Sequence, residues 1–448
     1  MIIPHESPEA QSPLLTVQIS MAAVLLCVTL LPSPVGAQQR TYDFQLVARG
    51  AVIARDGPKT GCPCVVRVPD WVPASERAAP EANYYLYYGT HHGDYIRMKW
   101  AESIDGPWTE YNLGGRFNGV SRRGVFDITA DPTRESYGHI ASPDVHVDHA
   151  NRQFLMFFHG ENQPATVTHS GTKVPQVHQS FASTSSNGLN FHDPLTAGGQ
   201  EGHGPRTVTV EGITREVWIG PAYQRAFQHR GNWYSLSKRA VLAKARDPQH
   251  PFRHNHEDPF GQAWIVEHTP DRLWQEDASR VQPSYFSSAA SFLASDEFAN
   301  HPNNPQPGTK ILSKKERINH VSCCVLPDDC LEIVFYVRQD PEDRYNSLYR
   351  LVYDISAPNF EDWDVARGED GQVLFEVVLS PEEVADAVQA INPGANPIYS
   401  ADPVSLGDST IFVDQDGRKY LFFSYVSRRF SGAEGEGQIT AVELIPRQ

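Results

Sequence analysis

The stretch SPDVHVDHANRQFLMFFHG, Ser142 to Gly160, decides the reading of this chain. Its first part alternates polar and apolar residues, its middle is a polar turn, and its end is an aromatic run that would bury both faces of a strand. The same unit occurs five times. It appears as CPCVVRVP with YYLYYG, as Ser142 to Gly160 itself, as GPAYQRAF with WYSLSK, as NHVSCCVL with LEIVFYVR, and as DSTIFVD with KYLFFSY. Most copies are followed by a third strand with its own turn. Five sheets that cannot bury both faces alone predict one closed ring, an all-β, five-bladed β-propeller of antiparallel four-stranded blades. Thr41 to Ala54 is the segment expected to close it by joining the last blade, and SPEEVADAVQAI reads as a short helix.

Composition agrees with a large folded core: 448 residues, 40% hydrophobic, 10% aromatic and 21% charged. The formal charge of -16, without a long basic run, excludes a nucleic-acid partner. Residues 14 to 31 form an apolar run, and Val35-Gly36-Ala37 after it resembles a cleavage site, so residues 1–37 are expected to be a signal peptide or N-terminal anchor. No basic residue precedes the run, which is unusual for a signal peptide and makes Met21 an alternative start. The expected product is secreted or periplasmic, has no stable membrane partner after export, and carries a single propeller over residues 38–448. Loss of the segment removes two acidic residues and leaves a charge of -14 and five cysteines, read as buried thiols with at least one unpaired.

In a propeller the inner strand of each blade starts near the axis, so distant residues converge there. The converging set is Cys62 to Cys64, Ser142 to Asp144, Ile219 to Tyr223, Asn319 with His320, and Asp408. The loops leaving the second strands add His91, His92, His159, Glu161 and Arg338, with His139 nearby. Asp144, His91, His92 and Tyr223 are the catalytic candidates. Arg225, His139, His159, Glu161, His320 and Arg338 are the candidates for holding substrate. Glu161 and Glu216 are the nearest glutamates that could act as a proton donor.

SPDVHVDHANRQFLMFFHG and GPAYQRAFQHRGNWYSLS resemble stretches of the glycoside hydrolases of family 43, a five-bladed propeller family, and AESIDGPW and STSSNGLNF resemble its third-strand turns. CPCVVRVPDWV, THHGDYIRM, HIASPDVHVD and GPAYQRAF are similar to a more divergent, glycosyl-hydrolase-like group of propellers. The family resemblance implies an inverting hydrolase with two carboxyl groups and a further tuning aspartate, which by position is Asp144. It departs at two places: Gly61-Cys62-Pro63 stands where the family has its base, and Ile219 where it has its acid. The resemblance requires no cofactor and allows one central calcium ion, held by His320. The expected partner is an oligo- or polysaccharide, cleaved at a terminal sugar. The alternatives are a lyase that cleaves beside a uronic acid with His, Tyr and Arg, and a propeller that binds sugar without turning it over.

Overall fold

The computed structural model describes residues 40–47, 53–54, 60–90, 93–112, 116–117, 120–121, 123–127, 139–161, 168–169, 172–173, 178–191, 206–210, 213–217, 223–237, 240–249, 251, 264–266, 288–311, 317–338, 347–391, 405–426 and 437–447. The chain divides into Met1–Ala37, which lies outside the described residues, and Gln38–Gln448, which forms the propeller.

Five antiparallel sheets follow one another along the chain. Blade 1 is Thr60–Arg67, Tyr84–Thr90, Tyr95–Ala101 and Thr109–Tyr111. Blade 2 is Ile140–Asp148, Gln153–Glu161 and His178–Ser185, three strands among the described residues where four were expected. Blade 3 is Arg225–His229, Asn232–Leu236, Leu242–Ala245 and Trp264–Val266. Blade 4 is Arg317–Leu326, Cys330–Arg338, Leu348–Asp354 and Asp364–Val365, with Phe375–Leu379 also paired to its third strand. Blade 5 is Ser405–Val413, Lys419–Val426 and Gly437–Pro446. Its fourth strand is Tyr42–Leu46, which pairs antiparallel with Gly437–Pro446, and Ala54 bridges Ile439. The expected closing segment therefore does join the last blade, and the helix expected near residue 380 runs over Pro381–Ile391.

The aromatic runs explain why the sheets stack into a ring. In an extended strand alternate residues face opposite sides. In the second strand of blade 2, Phe154, Met156 and Phe158 pack with Tyr85, Tyr87 and Met98 of blade 1. Leu155 and Phe157 point the other way, onto Ala226, Trp233 and Ala243 of blade 3. The pattern repeats around the ring: Phe227, Tyr234 and Leu236 meet Ile333, Phe335 and Tyr349 between blades 3 and 4. Val334 and Leu348 meet Leu421 and Phe423 between blades 4 and 5. Tyr420 and Phe422 return to Tyr84, Leu86 and Tyr88 of blade 1. Each interface buries apolar area from two blades, which is the main stabilising term for the ring.

One polar knot lies within the interface of blades 4 and 5. Glu332 accepts hydrogen bonds from Arg350 and from Lys419. Arg350 also reaches Glu376 at 3.0 Å, and Glu376 accepts from the backbone N–H of Thr41 at 2.6 Å. Lys419 donates to the Tyr42 hydroxyl at 2.7 Å, so the network ties the closing strand to its neighbours. Burial alone would raise the Glu332 pKa, but the Arg350 and Lys419 charges and their hydrogen bonds bring it below the ordinary carboxylate value. Glu332→Gln is expected to cost about 1.5–3 kcal/mol, the range for hydrogen bonds to charged groups, read as a lower urea midpoint at unchanged slope.

Candidate active site

The inner strands do not run straight to the axis. Four of the five pairings with the second strand slip register near the strand start: between Gly61 and Cys64, between Ala141 and Asp144, between Asn319 and Val321, and between Gly407 and Thr410. Blade 3 has no such slip within its described pairing, but Tyr223 stands just before its inner strand. Cys62, Ser142, Tyr223 and Asp408 adopt positive φ of 54°, 52°, 60° and 37°, a left-handed conformation that costs a non-glycine residue of order 1–3 kcal/mol. A bulge re-aims the side chain of its extra residue. In blade 4 the residue at the slip is His320.

These residues meet across blades. Ser142 Oγ donates to Cys62 Sγ at 3.0 Å. His320 Nε2 lies 3.3 Å from Asp408 Oδ1, and the Tyr336 hydroxyl donates to the same oxygen at 3.3 Å. Asn319 Nδ2 donates in turn to the Tyr336 hydroxyl. The Tyr223 ring stacks obliquely on His159, with centroids 3.8 Å apart, and meets His320 edge-on at 4.5 Å. His159 Nε2 stands 3.3 Å from His139 Nε2. A chain of rings, His139, His159, Tyr223 and His320, thus leads to Asp408. The Asp408 side chain keeps 22% of its surface exposed, whereas His320 keeps 8%. Gly61 is needed at this point: a Cβ there would lie 2.7 Å from Ser424 Oγ and 2.9 Å from Asp408 Oδ2.

Asp144 lies two residues beyond Ser142 and its carboxylate spans blades 2 and 3. Oδ2 accepts from the Ala226 backbone N–H at 2.7 Å and faces His146 Nε2 at 2.8 Å, and Oδ1 is 3.5 Å from Arg225 Nη1. Arg225 Nη1 donates to the Pro143 carbonyl at 2.7 Å. Burial would raise the Asp144 pKa, but His146, Arg225 and the Ala226 N–H together hold it below the ordinary value, so the group is an anion. Beside it, Cys64 Sγ accepts from the Val145 N–H at 3.1 Å. The axis therefore has two layers: Cys62, Ser142, Tyr223, His320 and Asp408, then Cys64, Asp144 and Arg225.

Of the residues singled out from the sequence, the structure brings His139, His159, Tyr223 and His320 together and sets Asp144 with Arg225 beside them. His91 and His92 lie outside the described residues. Glu161 and Arg338 end their strands, Gln153–Glu161 and Cys330–Arg338, and their side chains lie outside the described residues, as does that of Glu216. Asp408, Ser142 and Tyr336 gained no role in the sequence-based assignment of reacting and substrate-holding residues. A repeated signal marks two of them, because a small residue precedes a polar one at three inner-strand starts: Gly61-Cys62, Ala141-Ser142 and Gly407-Asp408.

All five propeller cysteines are unbridged. Burial pushes Cys64 up to about 12 and Cys324 to about 11, and burial with neighbouring aspartates holds Cys330 at about 11. A thiol that stays protonated is a poor nucleophile. A chromogenic disulfide reagent at pH 8 is therefore expected to react slowly with the native protein and to count every thiol only after unfolding.

No family model matches the chain. An uncharacterized protein of Acanthamoeba polyphaga mimivirus is 27% identical over 193 residues, which are 41% of this chain and 44% of that protein. The matched region thus spans less than half of that relative's length. Among solved structures, a thermostable family-43 glycoside hydrolase is 11% identical with a TM-score of 0.40, covering 88% of this chain and 94% of its own. An α-L-arabinofuranosidase from Lactobacillus brevis is 11% identical with a TM-score of 0.40, over 85% and 89% of the two chains. A glycosyl hydrolase from Bacteroides ovatus is 10% identical with a TM-score of 0.43, over 90% and 94%. The five-bladed fold stands on the strand pairing described above rather than on these likenesses.

Several buried polar atoms beside the axis have no hydrogen-bond partner among the described residues: both amide atoms of Gln224, Arg225 Nη2, Asn319 Oδ1 and Ser424 Oγ. Buried polar groups are nearly always satisfied by protein or by ordered water, and each of these atoms is itself covered by its surroundings near the inner-strand starts.

Proposed function

We propose that this chain is an exported carbohydrate-active hydrolase that binds a terminal sugar of an oligo- or polysaccharide on the propeller axis. The observation that carries the reading is Asp408: a carboxylate at an inner-strand bulge, partly exposed, within a ring of hydrogen-bonding side chains. Hydrolysis of a glycosidic bond needs a base on water and an acid on the leaving oxygen. Asp408 takes the role of base, with one oxygen steadied by His320 and Tyr336. Glu161, at the end of the strand that carries His159, is the proposed acid. Tyr223 offers its ring to the sugar and its hydroxyl as a donor. Asp144 acts through Arg225 as a positioning residue, because the donors around it already occupy its carboxylate.

A second reading has one observation of its own in favour, the placing of the Tyr223 phenol and the His159 imidazole side by side with ring centroids 3.8 Å apart, since elimination needs a side-chain base and a side-chain acid at one substrate. With Arg225 nearby to neutralise a carboxylate, such a pair fits elimination beside a uronic acid. One experiment separates the two. The purified chain is incubated with plant and algal oligosaccharides while reducing ends and ultraviolet absorbance are followed. Release of reducing sugar without new absorbance is the expected result. Absorbance from a new conjugated double bond would replace hydrolysis by elimination, and silence on every substrate would leave a sugar-binding propeller.

A further inference from the structure

We propose that Cys62, His320 and Asp408 form a binding site for a thiophilic divalent cation of the zinc class at the centre of the ring. Their ligand atoms, one sulfur, one imidazole nitrogen and one carboxylate oxygen, all lie within 4.8 Å of one another. They come from the inner strands of blades 1, 4 and 5, so the fold itself holds them rather than a loop. In a tetrahedral zinc site, nitrogen and oxygen ligands sit about 2.0–2.2 Å from the metal, which places them roughly 3.3–3.5 Å apart. His320 Nε2 and Asp408 Oδ1 are already 3.3 Å apart, close to that tetrahedral edge.

The surroundings also match a metal centre. Ligands in such centres are steadied by hydrogen bonds from their neighbours. Ser142 donates to the Cys62 sulfur at 3.0 Å, and Tyr336 donates to Asp408 at 3.3 Å while itself accepting from Asn319. Three protein ligands with a partly exposed carboxylate leave a fourth position on the axis for water or a substrate oxygen. The donor set does not fit the calcium ion that the family resemblance allowed at His320. Calcium takes six to eight oxygen ligands, whereas this set has one carboxylate, an imidazole and a thiol. Thiolate and imidazole donors select zinc and its neighbours instead. On binding, the Cys62 S–H bond breaks, its proton leaves to solvent, and the thiolate bonds to the cation. A bound cation of this class would supply an activated water where substrate enters.

The proposal goes beyond the sugar reading and changes one part of it, since with a cation bound Asp408 would be a ligand and the water on the cation would replace the carboxylate as the source of the nucleophile; its test uses no sugar. The full chain, dialysed against chelator and then against metal-free buffer, is titrated with zinc and with cobalt(II), and bound metal is measured by mass spectrometry. One equivalent per chain is expected, and the cobalt form should show sulfur-to-cobalt charge transfer. Cys62→Ser should lose that band and stoichiometric binding, while Cys330→Ser, which alters a thiol at the outer hairpin of blade 4, should keep both. Circular dichroism of each variant confirms that it is folded. Ser142→Ala should weaken binding by about 10–100-fold, the range for loss of a group that steadies a ligand. No bound equivalent, a band that survives Cys62→Ser, or displacement of zinc by an equal concentration of calcium would overturn the proposal.

Discussion

Asp144→Ala should destabilise the propeller by about 3–5 kcal/mol, the range for removing one partner of a buried ion pair. Asp144 is 5% exposed and Arg225 4%, so the substitution would leave a guanidinium buried between two blades without its counter-charge. It would also strip the Ala226 N–H of its acceptor on the inner strand of blade 3. Both losses fall at one interface, and the apolar side chains of that interface, Leu155, Phe157 and Trp233, remain to hold it. The variant should therefore unfold at lower urea with an unchanged slope. The sign of the pH dependence follows from the depressed pKa of Asp144. Because the folded value lies below the unfolded one, near 3.9, this contribution is intact above about pH 4 and is lost as the pH falls through the folded value. The difference in stability between wild type and Asp144→Ala should shrink as the solution is acidified. A difference that stayed constant with pH would detach the carboxylate from Arg225 and His146.

Asp408→Asn carries the largest expected effect on turnover, a loss of about 10²–10⁴-fold in kcat, the usual contribution of a positioned general base. The amide keeps the shape of the side chain and can still accept from Tyr336, so the positive φ of 37° at this position is no harder to hold. Stability should consequently change little, and KM should move much less than kcat. Tyr223→Phe offers the contrast, since it keeps the ring that faces His159 and His320 and removes only the hydroxyl. Its effect should be a few-fold on KM under hydrolysis and a large loss of kcat under elimination, where the phenol moves the proton.

The blades were legible in the sequence because of a property of their second strands. Runs such as Tyr84 to Tyr88 and Phe154 to Phe158 are apolar on both faces, and a strand of that kind has to be covered on both sides. Repetition of the run five times left a ring as the natural solution, and the alternation Tyr420 with Phe422 against Leu421 with Phe423 shows each blade serving two neighbours. The convergence of the inner-strand starts was legible for the same reason. Which residue at each start faces the axis was not. Strand alternation assumes an unbroken register, and the bulge at Ser142 shifts it, so that Ser142 reaches Cys62 of the preceding blade while Asp144 turns to Arg225 of the following one. Cys62, read as a buried thiol, and Asp408 were both placed in the converging set, but the same shift hid what each faces there. Pairing of small and polar residues at Gly61-Cys62, Ala141-Ser142 and Gly407-Asp408 is the local trace that a bulge leaves in the sequence.

The sugar is expected on the propeller axis, and a crystal structure of the chain with the sugar it releases tests that placement. A sugar ring should lie within hydrogen-bond distance of Asp408, packed on Tyr223 and His320. A different place is open to it at the outer edge of blade 4, a groove of about 540 Å³ lined by Ser288, Phe292, Glu361 and Trp363. Sugar seated there, with the axis unoccupied, would rule out Asp408 as the group that meets substrate.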